Sequence, residues 1–342
     1  MRRKLITLAL VALVFAGLVG YSAYSWIYQS NTSGPDPVEI LVPTGSDYDH
    51  VLRLLADRKI IENPTSFDAV AKLMKYPSLV KPGRYLISPG WSNKRLVSKL
   101  RSGQQDPVKV TISTARLMGD VAAAISTHLE ADSAEVYHSL TSPKQLQSLQ
   151  LNSETAIAQV IPNTYEFYWN TSGEQCAERI RKEYNQFWSK KGRSQKAERL
   201  QMTRAEVSTL ASIVESETNH LPERPTMAGV YLNRIEQGIP LAADPTVVFG
   251  LGDFGIRRVL YRHINTDTPY NTYMHAGLPP GPIRMPSISS IDAVLNREPH
   301  DYLFFCAKPG YNNGHVFAET NAEHERNARR YHRWLDQEGI KG

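Results

Sequence analysis

The sequence predicts an α+β fold carried on a single N-terminal transmembrane helix, and three observations lead there. From Leu5 to Tyr28 a run of 24 residues carries no charged side chain. Between Val38 and Leu129 a strand, a polar turn and an amphipathic helix recur three times. Beyond Thr203 two capped helices lead into a stretch dense in Pro and Gly turns, then short apolar strands and a charged closing helix.

The apolar run is long enough to span a bilayer. Arg2, Arg3 and Lys4 precede it, and no Lys or Arg follows until Arg53. The positive-inside rule then places the N-terminus in the cytoplasm and the remainder outside, as a single-pass anchor. A cleaved signal peptide is the competing reading, with Gly20-Tyr21-Ser22 as a small-x-small site. The run exceeds a usual signal h-region and lacks a clear Ala-x-Ala, which favours the anchor. Residues 29–37, including Asn31-Thr32-Ser33-Gly34-Pro35-Asp36-Pro37, read as a linker.

A hydrophobic content of 41% with 21% charge excludes disorder as the main theme. The net charge is +5, but the basic residues are scattered, and an exported domain rarely meets nucleic acid, so no nucleic-acid partner is expected. The mild basic excess suits anionic lipid or a carboxylate-bearing wall polymer. Cys176 and Cys306 show neither CxxC nor metal-ligand spacing; a disulfide is permitted but not required, and neither metal nor cofactor is expected.

The elements follow in order. Val38–Val42, Gly83–Ile87 and Val108–Ile112 read as strands, each followed by a helix, around Val51–Leu55, Leu96–Leu100 and Val121–Leu129. Phe67–Met74 adds a helix between the first two strands. Strand, two helices and strand within residues 38–104 is the layout of a small LysM-like glycan-binding module; a packing platform that binds nothing is the alternative. Residues 105–200 form an intermediate α+β, helix-rich region, with an aromatic loop at Ile161–Tyr168 whose rings either stack on sugars or fill a core.

Residues 201–342 carry the chemistry. Thr203-Arg204-Ala205-Glu206 has the form of a capping box and opens a helix whose apolar stripe is Val207, Leu210, Ala211, Ile213 and Val214. Glu217 lies seven after Leu210, four after Ile213 and three after Val214, so it continues that stripe. Glu215 points the other way, beside Ser208, Ser212 and Asn219, and reads as solvated. A carboxyl group held against apolar side chains has its pKa raised and arrives protonated at neutral pH, as a general acid must. A structural acid paired with Arg234 or His220 is the alternative. A second helix runs from Pro225 to Gln237, closed by Gly238. Beyond it, Ala243–Val247, Thr268–Tyr273 and Gly277–Ile283 are rigid polar turns suited to a cleft wall, followed by strands at Tyr302–Ala307 and His315–Phe317 and a helix from Ala322 to Asp336.

SIVESET, the helix ending YLNRI, ADPTVVFGLG, TPYNTYMHAGLPPGPI, YLFF and GHVFAET occur in this order. In these motifs the chain resembles the endolytic murein transglycosylases, the YceG-like family, from about Val38 to Trp334. The resemblance implies internal lytic cleavage of peptidoglycan glycan strands outside the inner membrane. It puts the catalytic acid on Glu217, the residue the helical face had selected. It also implies that the β-1,4 bond between N-acetylmuramic acid and N-acetylglucosamine is cut, leaving a 1,6-anhydromuramic end. One acid then suffices, since the muramoyl 6-hydroxyl replaces water as nucleophile.

Asn233, Arg234, Asp244, Thr246, Tyr270, Asn271, Thr272 and Tyr273 are the candidate substrate-binding residues, offering hydroxyl, amide and aromatic groups to sugars, with a structural turn role as the alternative for each. His315 reads as a satisfied strand histidine. Where the family commonly has Pro-Asp-Thr-Tyr, this chain has Pro162-Asn163-Thr164-Tyr165. Expected partners are peptidoglycan strands, the inner membrane and, through the family, wall-synthesis or division proteins. A non-catalytic wall-binding scaffold and a hydrolytic muramidase are the competing functions.

Overall fold

The computed structural model describes residues 2–310 and 314–339. In chain order the elements are α1 (Arg2–Tyr28), β1 (Val38–Val42), α2 (Tyr48–Asp57), α3 (Pro64–Leu73), β2 (Gly83–Ile87), α4 (Asn93–Ser102), β3 (Val108–Ile112), α5 (Met118–Ser126), α6 (Ser133–Leu140), α7 (Pro143–Ser148), β4 (Asn163–Phe167), α8 (Gly173–Ser189), α9 (Arg193–Arg199) and α10 (Arg204–Glu217). They continue with α11 (Arg224–Glu236), α12 (Asp244–Leu251), α13 (Tyr261–Ile264), α14 (Ile288–Leu295), β5 (Phe304–Ala307), β6 (His315–Ala318) and α15 (Asn321–Gln337). Mixed helix and sheet, with an apolar N-terminal helix, is the observed class. The chain divides into two compact units, one of Met1–Val110, His128–Ala131 and Glu166–Ser172, the other of Thr111–Thr127, Asp132–Tyr165 and Gly173–Gly342.

In the first unit α1 is long and apolar enough to cross a membrane, and its Leu8 and Leu13 side chains are each 73% exposed. Its last turn is docked: the Asn93 amide donates to the Trp26 carbonyl at 2.9 Å, and Ile27 packs on the unit's core. Asn31 and Thr32, in the stretch expected to be a linker, are buried. The reason is polar pairing: Asn31 donates to Asn93 Oδ1 at 2.7 Å, and its backbone N–H to the Trp91 carbonyl at 2.8 Å. β1 and β2 pair antiparallel with Ile40 opposite Tyr85, so Ile40, Val42, Tyr85 and Ile87 face one core with Val51, Leu55, Phe67 and Leu96. Asn63 caps α3 by accepting from Ser66 N–H, with Pro64 in the first turn, where its missing N–H costs nothing.

In the second unit α10 is buried all round, from Val207 to Val214, against α9, α11, α12 and α14. The Pro-rich segment after Gly277 crosses it, and Ile283 N–H donates to Ser212 Oγ at 3.0 Å. Close approach there requires Gly281: a Cβ on it would stand 2.1 Å from the Glu154 carbonyl oxygen. Gly281→Ala is therefore expected to destabilise the unit by about 1–3 kcal/mol, read as a lower urea midpoint; an unchanged midpoint would count against this packing. β5 and β6 form an antiparallel hairpin with Cys306 opposite Val316. Cys176 and Cys306 are both free.

Two segments differ from expectation. Ile161–Tyr168, read as an aromatic loop, contains strand β4, whose alternate residues Tyr165 and Phe167 are buried, so these rings fill the core. The polar turn expected at Ala243–Val247 is the start of α12, because Pro245 sits in a first helical turn rather than ending a strand.

Candidate active site

The Thr203 capping box forms as the sequence dictates: Glu206 N–H donates to Thr203 Oγ1 at 3.1 Å and Thr203 N–H to Glu206 Oε2 at 2.7 Å. With its start fixed, α10 runs to Glu217, its last residue, and Thr218 turns the chain into extended backbone. Glu217 therefore stands at the helix C-terminus, where the macrodipole disfavours added negative charge.

The residue is only half-buried, but its carboxyl is closely crowded. Desolvation by that crowding pushes its pKa from 4.5 up to about 7. Tyr231 and Arg234 pull the other way, through a 3.1 Å hydrogen bond from the phenol to Oε1 and through opposite charge, while Asp244 adds to the rise by repulsion. Tyr231 is buried on α11, and burial followed by the Glu217 charge holds its phenol well above the ordinary range, so it stays a donor.

Glu215 is not solvated, which corrects the expectation from helical spacing. Its side chain is 13% exposed, and Oε2 accepts from Ser287 N–H at 2.6 Å and Ser290 Oγ at 2.8 Å. Arg224 and Arg284 flank it at 3.9 and 3.7 Å. Burial alone would raise its pKa, but these hydrogen bonds and the Arg284 charge outweigh it and hold the carboxyl below its ordinary value. The cause is that the polar face of α10 meets polar groups from the segment leading into α14, not water. Two acids on one helix thus divide: Glu217 holds its proton up to about pH 7, while Glu215 gives its proton up below the ordinary carboxylate range.

The other candidate residues fall into two groups. Around Glu217 lie Arg234, Asp244 and Tyr273, the last donating to Asp244 Oδ1 at 2.6 Å. Arg234 also binds the Leu303 and Leu241 carbonyls at 2.6 and 2.9 Å, so one guanidinium both ties the β5 approach to α11 and supplies charge near the acid. The rest hold walls. Asn233 donates to the His300 and Tyr302 carbonyls, Asn271 to those of Ile264 and Thr266, and the buried Thr246 and Thr272 hydroxyls lie 2.8 Å apart. Tyr270 packs against Phe249 with the rings tilted at 56° and centroids 4.7 Å apart. His315 is satisfied by Glu223, through its backbone N–H and Nδ1, both at 2.9 Å. A cavity of about 550 Å³ opens beside α10, with Glu215, Ser216, Asn219 and Asp244 in its lining.

Residues 40–330 match the family model described as YceG-like. The chain belongs to the YceG-like family. Among YceG-like relatives, a Bacillus subtilis (strain 168) protein named endolytic murein transglycosylase is 28% identical over 311 residues, covering 86% of this chain and 84% of that protein. A Streptococcus pneumoniae serotype 2 protein of the same name is 27% identical over 361 residues; the match covers 94% of this chain but 63% of the streptococcal length. A crystal structure of a yceG-like protein from Listeria monocytogenes superposes with a TM-score of 0.56 at 27% identity, covering 85% of this chain and 98% of that one.

Within this YceG-like frame, Tyr231 escaped the sequence reading, although it lies three residues before Arg234 and so shares its helix face. Asn163, at the departure from the usual Pro-Asp-Thr-Tyr, is exposed at the start of β4, and its Oδ1 accepts from Thr164 N–H at 2.8 Å.

Proposed function

We propose that this chain is a membrane-anchored endolytic transglycosylase that cleaves the β-1,4 bond between N-acetylmuramic acid and N-acetylglucosamine and leaves a 1,6-anhydromuramic end. Enzymes of this class act on peptidoglycan, and the names of the relatives support the class. The observation that carries the mechanism is one crowded carboxyl, Glu217, with a pKa of about 7 and a phenol donor on Oε1.

In this reading Glu217 gives its proton to the glycosidic oxygen as the bond from the anomeric carbon breaks. The resulting carboxylate takes the proton of the muramoyl 6-hydroxyl, whose oxygen bonds to the anomeric carbon. The acid is regenerated and no water is consumed. Tyr231 holds the carboxyl in place, and Asp244, itself held by the Tyr273 hydroxyl, favours the protonated form by repulsion. Asn233, Arg234, Thr246, Tyr270, Asn271 and Thr272 shape the sugar-binding walls. α1 anchors the chain with its N-terminus in the cytoplasm and the enzyme in the periplasm. Residues 38–104 form a LysM-like module, and residues 201–342 form the catalytic region. Wall-synthesis or division proteins are its partners.

Mass spectrometry of strands digested by the full chain tests this: anhydro ends support it, whereas reducing ends would identify a hydrolase and the absence of products a scaffold. Tyr231→Phe removes the hydrogen bond that lowers the Glu217 pKa. The alkaline limb of the rate–pH profile is therefore expected to move upward, with kcat down about tenfold. An unaltered profile would exclude Tyr231 from the site.

A further inference from the structure

The cavity beside α10 has a wall that the reaction above does not use. Arg116, Arg257, Arg258 and Arg284 line it, with Phe249 and Phe254. Two of these cations are engaged: Arg284 donates to Thr114 Oγ1 at 2.9 Å and flanks Glu215, and the Arg116 guanidinium lies 4.2 Å from the Phe254 ring centroid. Both acids of the lining are committed too, Glu215 to Ser287 and Ser290, Asp244 to Tyr273. Arg257 and Arg258 are exposed on the segment between α12 and α13, and among the described residues neither has a carboxylate or hydrogen-bond partner.

Arg257 and Arg258 are neighbours in sequence, and among the described residues no carboxylate offsets their charge. A ligand can. The sugar rings of murein are N-acetylated and neutral, so its negative charge resides in carboxylates: those of the stem peptides, or the lactyl group itself where the peptide is missing. A guanidinium fork matches a planar carboxylate through two parallel hydrogen bonds. Ser216, the neighbour of Glu217 on α10, and Asp244, whose charge acts on Glu217, both line the cavity, which therefore lies beside the acid.

We propose that Arg257 and Arg258 form a carboxylate subsite for the acidic substituent of the muramoyl residue, so that strands bearing that substituent are the preferred substrate. This rests on the transglycosylase reading of the same site.

The test compares the full chain with Arg257→Gln/Arg258→Gln and Arg257→Lys/Arg258→Lys doubles on three immobilised murein strands: peptide-bearing, peptide-stripped with free lactyl carboxylates, and stripped with the lactyl carboxyl amidated. On the strand bearing the recognised group, the Gln double is expected to raise KM about tenfold with kcat within about twofold. The Lys double recovers part of that loss, and added salt shrinks it. Loss confined to peptide-bearing strands assigns the subsite to stem-peptide carboxylates, and loss confined to free-lactyl strands to the lactyl group; either supports it. Equal KM on all three strands overturns it. Binding of the same variants, measured without turnover, keeps the two readings separate: a wild-type chain that binds but releases no product refutes the transglycosylase alone, while equal binding by wild type and Gln double refutes the subsite alone.

Discussion

Glu217→Gln is expected to lower kcat by about 10³-fold or more while leaving the fold intact, because the amide keeps the acceptor for Tyr231 but has no proton to give. The same substitution should change stability with a defined sign. The Glu217 pKa lies at about 7 in the folded chain against an ordinary 4.5. A raised pKa contributes stability fully present below about pH 4.5, lost as pH rises through 7. At pH 8 the wild type therefore carries a penalty on the order of 3 kcal/mol, discounted by whatever water reaches the half-buried side chain. The Gln variant escapes it and should melt several degrees higher at pH 8, and at the same temperature as wild type near pH 4.5. Turnover by the purified variant would remove Glu217 from the mechanism, and equal melting at both pH values would mean its carboxyl is not desolvated.

Glu215 predicts the opposite slope. Its lowered pKa contributes stability that is fully present above the ordinary carboxylate value and is lost as pH falls below that value through the lowered folded pKa. Glu215→Gln leaves Arg224 and Arg284 without their shared anion; Arg224 is buried and otherwise bonded to the Ser287, Ser289 and Ser290 hydroxyls and the Thr218 carbonyl. Breaking a buried pair from one side costs about 3–5 kcal/mol, and part exposure of Arg284 places the expected loss at the lower end. Chemical unfolding at pH 7 should show that loss, and at pH 4 the gap to wild type should narrow. Catalysis per folded molecule should survive, since Glu215 holds the segment leading into α14 rather than a substrate proton. A variant as stable as wild type at pH 7 would refute the network.

What the sequence disclosed and what it withheld follow from the range of the interactions. The Thr203 cap and the stripe through Val214, which carry Glu217 to the end of α10, and the left-handed Gly238 just past α11 are local, so spacing reads them correctly. Glu215 was misread because spacing separates two faces without saying what covers the second; here Ile283, Ser287 and Ser290, about seventy residues away, cover it. β4 was missed for a similar reason. Its pattern exposes Asn163, Thr164 and Glu166 and buries only two aromatic residues, and its partner β3 lies some fifty residues earlier. At α12, Asp244-Pro245 signals a turn and a helix start equally well, and eight residues are too few for periodicity to decide.

The hydrogen bond from Asn93 to the Trp26 carbonyl, with Ile27 seated in the core, makes the first helix and the small unit a single lever. Tilting that helix swings β1 and β2 through the same angle. The square-root reach of a floppy tether then does not describe how far the unit stands from the end of the helix: that height is set by rigid geometry.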